Sequence, residues 1–179
     1  MDIFQQKKAL RKKVKELKRQ HTLEQKKELT APILKKIEES AVFKSSDIIM
    51  AYWSMDDEVF THDFVMKWAE KKRIILPVVN GDKLELKEFK GVEELVAGEN
   101  FGIPEPKGQI FENPEQIDLI LVPGVAFDKN YNRMGRGKAY YDKLLRVSKA
   151  YKFGVCFNFQ VFEEVPFDEL DVQMDTVVS

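Results

Sequence analysis

The sequence predicts an α/β fold of three layers, α/β/α, built on a mostly parallel but mixed sheet and preceded by a basic N-terminal helix. Three observations carry this expectation. Residues 47–53 (DIIMAYW), 73–79 (RIILPVV) and 117–122 (IDLILV) are nearly continuous apolar runs of strand length, the pattern of strands buried on both faces. Segments with apolar residues at helical spacing alternate with them, joined by short connections. Asn80-Gly81-Asp82 is a turn between 73–79 and a second strand over 84–89, and this antiparallel pair makes the sheet mixed.

In chain order, Ile3, Leu10, Val14 and Leu17 form the apolar stripe of a first helix whose other positions are mostly Lys and Arg. Thr22 with Gln25 is a capping box that opens a second helix, along which Leu29, Ile33 and Ile37 step by four. Pro32 lacks an N–H and crowds the preceding turn, so the helix is expected to bend or restart there. After the strand at 47–53, residues 60–71 read as a helix with Phe64, Val65 and Trp68 inward. The Gly- and Pro-rich stretch 98–114 reads as a loop. Tyr140, Leu144, Leu145 and Val147 mark a helix after the strand at 117–122, and the chain closes with a strand at 152–157, a turn or helix at 160–163 and a short strand at 176–178. No linker or repeat interrupts this order, so residues 1–179 are expected to form one domain.

Composition excludes several function classes. Hydrophobic residues at 44% and charged residues at 33% describe a globular chain, and a net charge of −1 from 29 basic and 30 acidic residues predicts no nucleic-acid partner. Cys156 is the only cysteine and His21 and His62 the only histidines, which rules out an internal disulfide and a Cys/His zinc site. No apolar run reaches the roughly 20 residues of a membrane span, and no apolar signal segment follows Met1, so a cytoplasmic protein without membrane contact is expected.

Residues 123–142 (PGVAFDKNYNRMGRGKAYYD) hold most of the chemistry. They follow a buried strand and precede a helix, where open α/β sheets bind ligands and where helix N-termini favour anions. A Walker A loop needs glycine in place of Asn132 and Ser or Thr in place of Ala139, and a dinucleotide fingerprint needs Gly or Ala in place of Tyr140, so neither applies. Two readings stay open at this level: a phosphate-handling loop, or a glycine turn whose Arg133, Arg136 and Lys138 point to water.

Three further clusters stand apart from it. Lys7 and Arg11 share a helix face and could grip one polyphosphate, with Lys8 beside them; the alternative is a solvated basic face, on which a weak RNA-binding reading also rests. Residues 53–58 (WSMDDE) set an aromatic, a thioether and Glu58 together, which suits a flat heterocycle with paired N–H donors, or else simply a helix-entry loop. In residues 168–175 (DELDVQMD), Asp171 and Asp175 could serve a divalent cation on phosphates, with solvated surface acids as the alternative.

Together these segments resemble the 5-formyltetrahydrofolate cyclo-ligase (5,10-methenyltetrahydrofolate synthetase) family, in the family's order. The matching places are Lys7-x-x-Leu10-Arg11, Ser54-Met55 followed by Glu58, and Gly102-Ile103-Pro104-Glu105-Pro106. The longest is Pro123-Gly124 through Arg133-Met134-Gly135-Arg136-Gly137-Lys138-Ala139-Tyr140-Tyr141-Asp142, and Val165-Pro166 and Asp171-x-x-x-Asp175 follow. The resemblance implies a ligase of one-carbon metabolism that closes 5-formyltetrahydrofolate to 5,10-methenyltetrahydrofolate with ATP as co-substrate and Mg²⁺ as cofactor. The rival is a non-catalytic nucleotide- or sugar-phosphate-binding relative. Phosphorylation of the formyl oxygen would make it a leaving group, and such a transfer asks for positioning and positive charge.

Residue roles follow from the same resemblance. Lys7, Lys8, Arg11, Arg133, Met134, Gly135, Arg136, Gly137, Lys138, Ala139, Tyr140 and Tyr141 are expected to bind ATP, with Arg136 and Lys138 the catalytic cations. Trp53, Met55, Glu58, Phe101 and Tyr141 would bind the folate, Asp142 and Asp171 the metal, and Gln160 would lie near the site. A monomer acting on small molecules is expected. Ala139 stands where the family usually has glycine, and a positive φ there would cost on the order of 1 kcal/mol.

Overall fold

The chain starts with two 17-residue helices, α1 (Ile3–Arg19) and α2 (Leu23–Glu39), in a computed structural model that describes residues 2–98 and 102–179. Asp2 caps α1, and α2 opens on the expected box, in which the Thr22 hydroxyl accepts from Gln25 N and the Gln25 side chain accepts from Thr22 N. Pro32 does not restart α2, which is assigned without a break through it. Ser40 then caps the five-residue α3 (Ala41–Ser45).

Six strands make the main sheet: β1 (Ile48–Met50), β2 (Arg73–Asn80), β3 (Lys83–Phe89), β6 (Leu119–Pro123), β9 (Tyr151–Val155) and β11 (Thr176–Val178). Their order is β11-β9-β6-β1-β2-β3, parallel throughout except for the β2–β3 hairpin, as the mixed sheet requires. Alternation along the strands supplies both cores. Ile49, Ala51, Ile74, Leu76, Leu119 and Leu121 face α2, α3 and α4 (His62–Ala69) through Ile33, Ile37, Phe43 and Phe64. Met50, Ile75, Ile120 and Val122 face the other way, onto Leu145 of α5 (Tyr140–Leu145), Phe111, Ile117 and Met174. The second outer layer is therefore one short helix and irregular chain.

From β1 the chain crosses through α4 to β2, and from β6 through α5 to β9, on opposite faces of the sheet. Neighbouring β1 and β6 therefore form the topological switch point, where the strand ends part and leave a crevice.

Several boundaries differ from expectation. The first strand covers 48–50 rather than 47–53, with one further ladder bond from Ala51 N to Ile75 O. The stretch 98–114 is not wholly a loop, because β5 (Pro104–Pro106) pairs with β4 (Leu95–Ala97) in a two-stranded ribbon. Residues 123–142 contain a hairpin of β7 (Ala126–Asp128) and β8 (Arg133–Met134), joined by β10 (Val161–Phe162) in a separate three-stranded sheet. On this small sheet α1 packs, with Val14 meeting Val125, Ala126, Met134 and Val165. Ile3 is exposed rather than inward, and Val147 is 80% exposed, beyond the end of α5.

Candidate functional site

A cavity of about 590 Å³ opens at the switch point, between the ends of β1 and β6. Tyr52 and Trp53 follow β1 into its wall, Pro123 and Gly124 end β6 there, and Pro77, Val79 and Leu84 of the β2–β3 hairpin form an apolar side. One flank is α1 and another is the chain from Arg133 to Lys143.

On α1 the helical period puts Lys7 and Arg11 in the cavity, while Lys8, one position along, is exposed and off the wall. Lys7 Nζ lies 2.6 Å from both Asp168 and Asp171. Burial alone would lower its pKa; the two carboxylates outweigh this and raise it. Asp168 is held below the usual carboxylate range, chiefly by its hydrogen bond from Lys7. Arg11 Nε donates to Gly135 O at 3.0 Å, tying α1 to the cation-rich loop.

That loop is more ordered than a glycine turn. Asp128, 1% exposed, holds its base: one oxygen accepts from Asn130 N (2.9 Å) and Asn132 N (3.0 Å), the other from the Asn132 side chain and Val165 N, both 3.0 Å. Gln160, 2% exposed, sits behind the wall, donating to Gly124 O and Val125 O at 3.0 Å. Arg133 is not a surface charge. It is 3% exposed, donates to Asp142 at 2.9 Å and to Pro123 O at 3.2 Å, and its buried Nε has no partner among the described residues. A Cβ on Gly135 would come within 2.9 Å of the Arg133 guanidinium, so glycine is what lets the chain double back over it. Met134 is buried against Val14 and also reaches the cavity.

Beyond Gly135 the side chains of Arg136 and Lys138 turn into the cavity, and Gly137 takes φ +97. Ala139 adopts φ 56, ψ 16, the left-handed region, before six-residue α5. A helix so short offers little dipole, so side-chain cations rather than α5 carry the positive charge. Ala139→Gly should relieve about 1 kcal/mol of backbone strain. Urea unfolding checks this, and an unchanged midpoint would mean that Ala139 is unstrained.

The third wall is the loop after β1. Ser54 and Thr61 cinch its base, with Ser54 N donating to Thr61 Oγ1 (3.2 Å), Thr61 N donating to Ser54 Oγ (2.9 Å) and Thr61 Oγ1 donating to Tyr52 O. Glu58 accepts from Met55 N at 3.0 Å and from Arg136 Nη2 at 3.1 Å. Trp53 stacks on His62 with centroids 4.0 Å apart, so one ring face is taken. Met55, Glu58, Tyr140 and Tyr141 share the cavity, and burial pushes the Tyr141 phenol up. Phe101 lies outside the described residues. Burial raises the Cys156 thiol to about 12, which leaves an inert side chain in the core.

Asp142 and Asp171 both reach the cavity. Val172 N, next to Asp171, donates to Asp142 Oδ1 at 3.3 Å and so brings the two acids together. Among the described residues no three His, Cys, Asp or Glu side chains cluster as a metal cage. No described helix is long and apolar enough to cross a membrane.

The cavity thus gathers Lys7, Arg11, Arg133, Met134 and Gly135 through Tyr141 with Trp53, Met55, Glu58, Asp142 and Asp171; among the described candidates Lys8, Gln160 and Asp175 stay outside it. Sequence reasoning passed over Lys18, and it did not single out Asp57, Asp128 or Asp168 within the stretches it had marked.

Comparison with known proteins gives a consistent result. The profile of the 5-formyltetrahydrofolate cyclo-ligase family matches residues 3–179. A Schizosaccharomyces pombe protein named "Probable 5-formyltetrahydrofolate cyclo-ligase" is 30% identical over 166 residues, 82% of this chain and 81% of its own length. The mouse 5-formyltetrahydrofolate cyclo-ligase is 28% identical over 187 residues, covering 96% and 92% of the two chains. Among solved structures, that of Aquifex aeolicus 5,10-methenyltetrahydrofolate synthetase superposes with a TM-score of 0.86 at 37% identity, covering 96% of this chain and 88% of the other.

Proposed function

Because this chain belongs to the 5-formyltetrahydrofolate cyclo-ligase family and is thus a ligase converting 5-formyltetrahydrofolate to 5,10-methenyltetrahydrofolate, we propose that it uses ATP and Mg²⁺, releases ADP and phosphate, and acts as one domain over residues 1–179. One observation carries the reading: Arg136 spans the cavity from the cation-rich loop to Glu58, joining a phosphate-binding half to a heterocycle-binding half.

The formyl oxygen of an amide is a poor leaving group, so N10 cannot simply displace it. When that oxygen takes the γ-phosphoryl group, the O–P bond forms as the bond to ADP breaks. The formyl carbon becomes iminium-like, N10 adds to it and gives up its N–H proton to water, and the C–O bond breaks to release phosphate. Lys7, Arg11 and Lys138 hold the triphosphate, and Met134, Gly135, Gly137, Ala139 and Tyr140 shape the loop around the nucleotide. Arg136 and Lys138 oppose the charge of the migrating phosphoryl group. Arg133 acts from beneath by fixing Asp142. Trp53, Met55 and Tyr141 wall the pterin, and Glu58 accepts its N–H donors.

Asp142 and Asp171 fit Mg²⁺, which commonly takes one or two carboxylates and fills its shell with phosphate oxygens and water. Bound there, the ion would neutralise phosphate charge, and Asp171 Oδ1, which accepts no hydrogen bond among the described residues, would be free to hold it. Small molecules are the partners of this reading, with a monomeric, cytoplasmic protein that takes neither nucleic acid nor membrane.

The experiment is direct. Protein mixed with ATP, Mg²⁺ and 5-formyltetrahydrofolate should develop the methenyl chromophore in step with ADP. Nucleotide binding without either product would favour the non-catalytic relative.

A further inference from the structure

Asp57 is the one carboxylate in the loop after β1 that touches both α1 and the cation-rich loop. Its Oδ1 lies 2.7 Å from Arg136 Nη2, and its Oδ2 lies 3.1 Å from Lys18 Nζ. Lys18 is an unusual anchor. It follows Lys7 and Arg11 along one face of α1, its side chain is only 8% exposed, and Asp57 is its single hydrogen-bond partner among the described residues. Burial lowers the Lys18 pKa, although the Asp57 charge resists this. Desolvation would raise the Asp57 carboxyl, but Lys18 and Arg136 together hold it below its ordinary range.

Arg136 needs such an anchor. Its side chain is 44% exposed, and Gly135 and Gly137 on either side leave the backbone free to turn. Its hydrogen bonds to Asp57 and Glu58 both use Nη2, and Nε and Nη1 face no partner among the described residues. On the functional reading above, the pterin takes the Glu58 carboxylate and Arg136 then loses one of its two ties.

We propose that Asp57, fixed by buried Lys18, is a positioning residue that keeps the Arg136 guanidinium at the junction of the two half-sites while substrate occupies Glu58. This rests on the reading of Arg136 as the phosphoryl-stabilising cation. With Glu58 taken by substrate, the remaining anchor on Nη2 leaves the other donors aimed by the rigid plane of the guanidinium. Asp57 itself touches neither substrate.

The test is a double-mutant cycle on turnover. Asp57→Asn in the wild-type background should lower kcat about tenfold with less than a twofold change in the folate KM. In an Arg136→Ala background the same change should alter kcat less than twofold, because nothing remains to position. An equal loss in both backgrounds, or wild-type kcat in Asp57→Asn, overturns the proposal. Asp57→Asn can leave Lys18 buried without a counter-charge, so Lys18→Met/Asp57→Asn provides a second variant without that buried ammonium. It should fold and show the kcat of Asp57→Asn, and wild-type turnover would overturn the proposal. An independent readout is the Arg136 Nε–H resonance, expected to be sharp in the wild-type protein and shifted or broadened in Asp57→Asn; an identical signal counts against the proposal. Wild-type protein that lacks cyclising activity yet shows this Asp57-dependent signal would sink the functional reading and leave Asp57 as the anchor of Arg136.

Discussion

Arg136→Ala is expected to lower kcat by roughly 10²–10³-fold and to leave the thermal midpoint almost unchanged, the range seen when one preorganised transition-state donor is removed. Its placement argues for both halves of this result. The guanidinium is 44% exposed, and ion pairs so open to solvent contribute little to folding. Glu58 keeps its bond from Met55 N when Arg136 is gone, so no buried carboxylate is stranded. On the proposed mechanism, what would be lost is a fixed cation beside the oxygen that receives the phosphoryl group, where charge redistributes only in the transition state. Lys138→Ala should act in the same direction, since its exposed side chain lines the cavity and makes no protein hydrogen bond among the described residues. Steady-state kinetics separate the alternatives. A raised ATP KM at unchanged kcat would make Arg136 a ground-state anchor and remove it from the chemical step.

The sheet and the site were legible in the sequence to different depths. Parallel strands buried on both faces announce themselves as apolar runs, so β1, β2 and β6 were visible with only their ends misplaced. The β7–β8 hairpin was not, because strands of three and two residues leave no periodicity and the turn depends on Asp128, a charge that any loop can carry. Nor did the Pro-rich stretch reveal β5, since two of its three residues are proline and it pairs on only one side. Charge was the most misleading signal. Nothing in the sequence marked Lys18 or Arg133 as buried, yet both are, because a carboxylate distant in sequence, Asp57 or Asp142, meets each. Pairing of that kind is a property of the folded chain. The left-handed Ala139 was flagged only through the glycine usual at that place in the family it resembles, and the left-handed Tyr131 gave no sign.

Asp128→Ala is expected to be the most destabilising of these changes, by about 3 kcal/mol or more, although Asp128 lies outside the cavity. Its carboxylate receives three backbone N–H groups, from Asn130, Asn132 and Val165, and hydrogen bonds to a charged group are worth about 1.5–3 kcal/mol each. At 1% exposure, water cannot readily replace them. Total stability for a domain of this size is about 5–15 kcal/mol, so the loss should show plainly in urea unfolding. Asparagine keeps one acceptor oxygen and should recover part of it. The functional consequence runs through the chain: Asp128 fixes the turn into β8, β8 carries Arg133, and Arg133 holds Asp142 beside Asp171. In whatever fraction of Asp128→Ala stays folded, turnover should therefore fall as well, with a raised Mg²⁺ requirement. Wild-type magnesium dependence in the folded fraction would mean that the hairpin supports the fold without setting the geometry of the two acids.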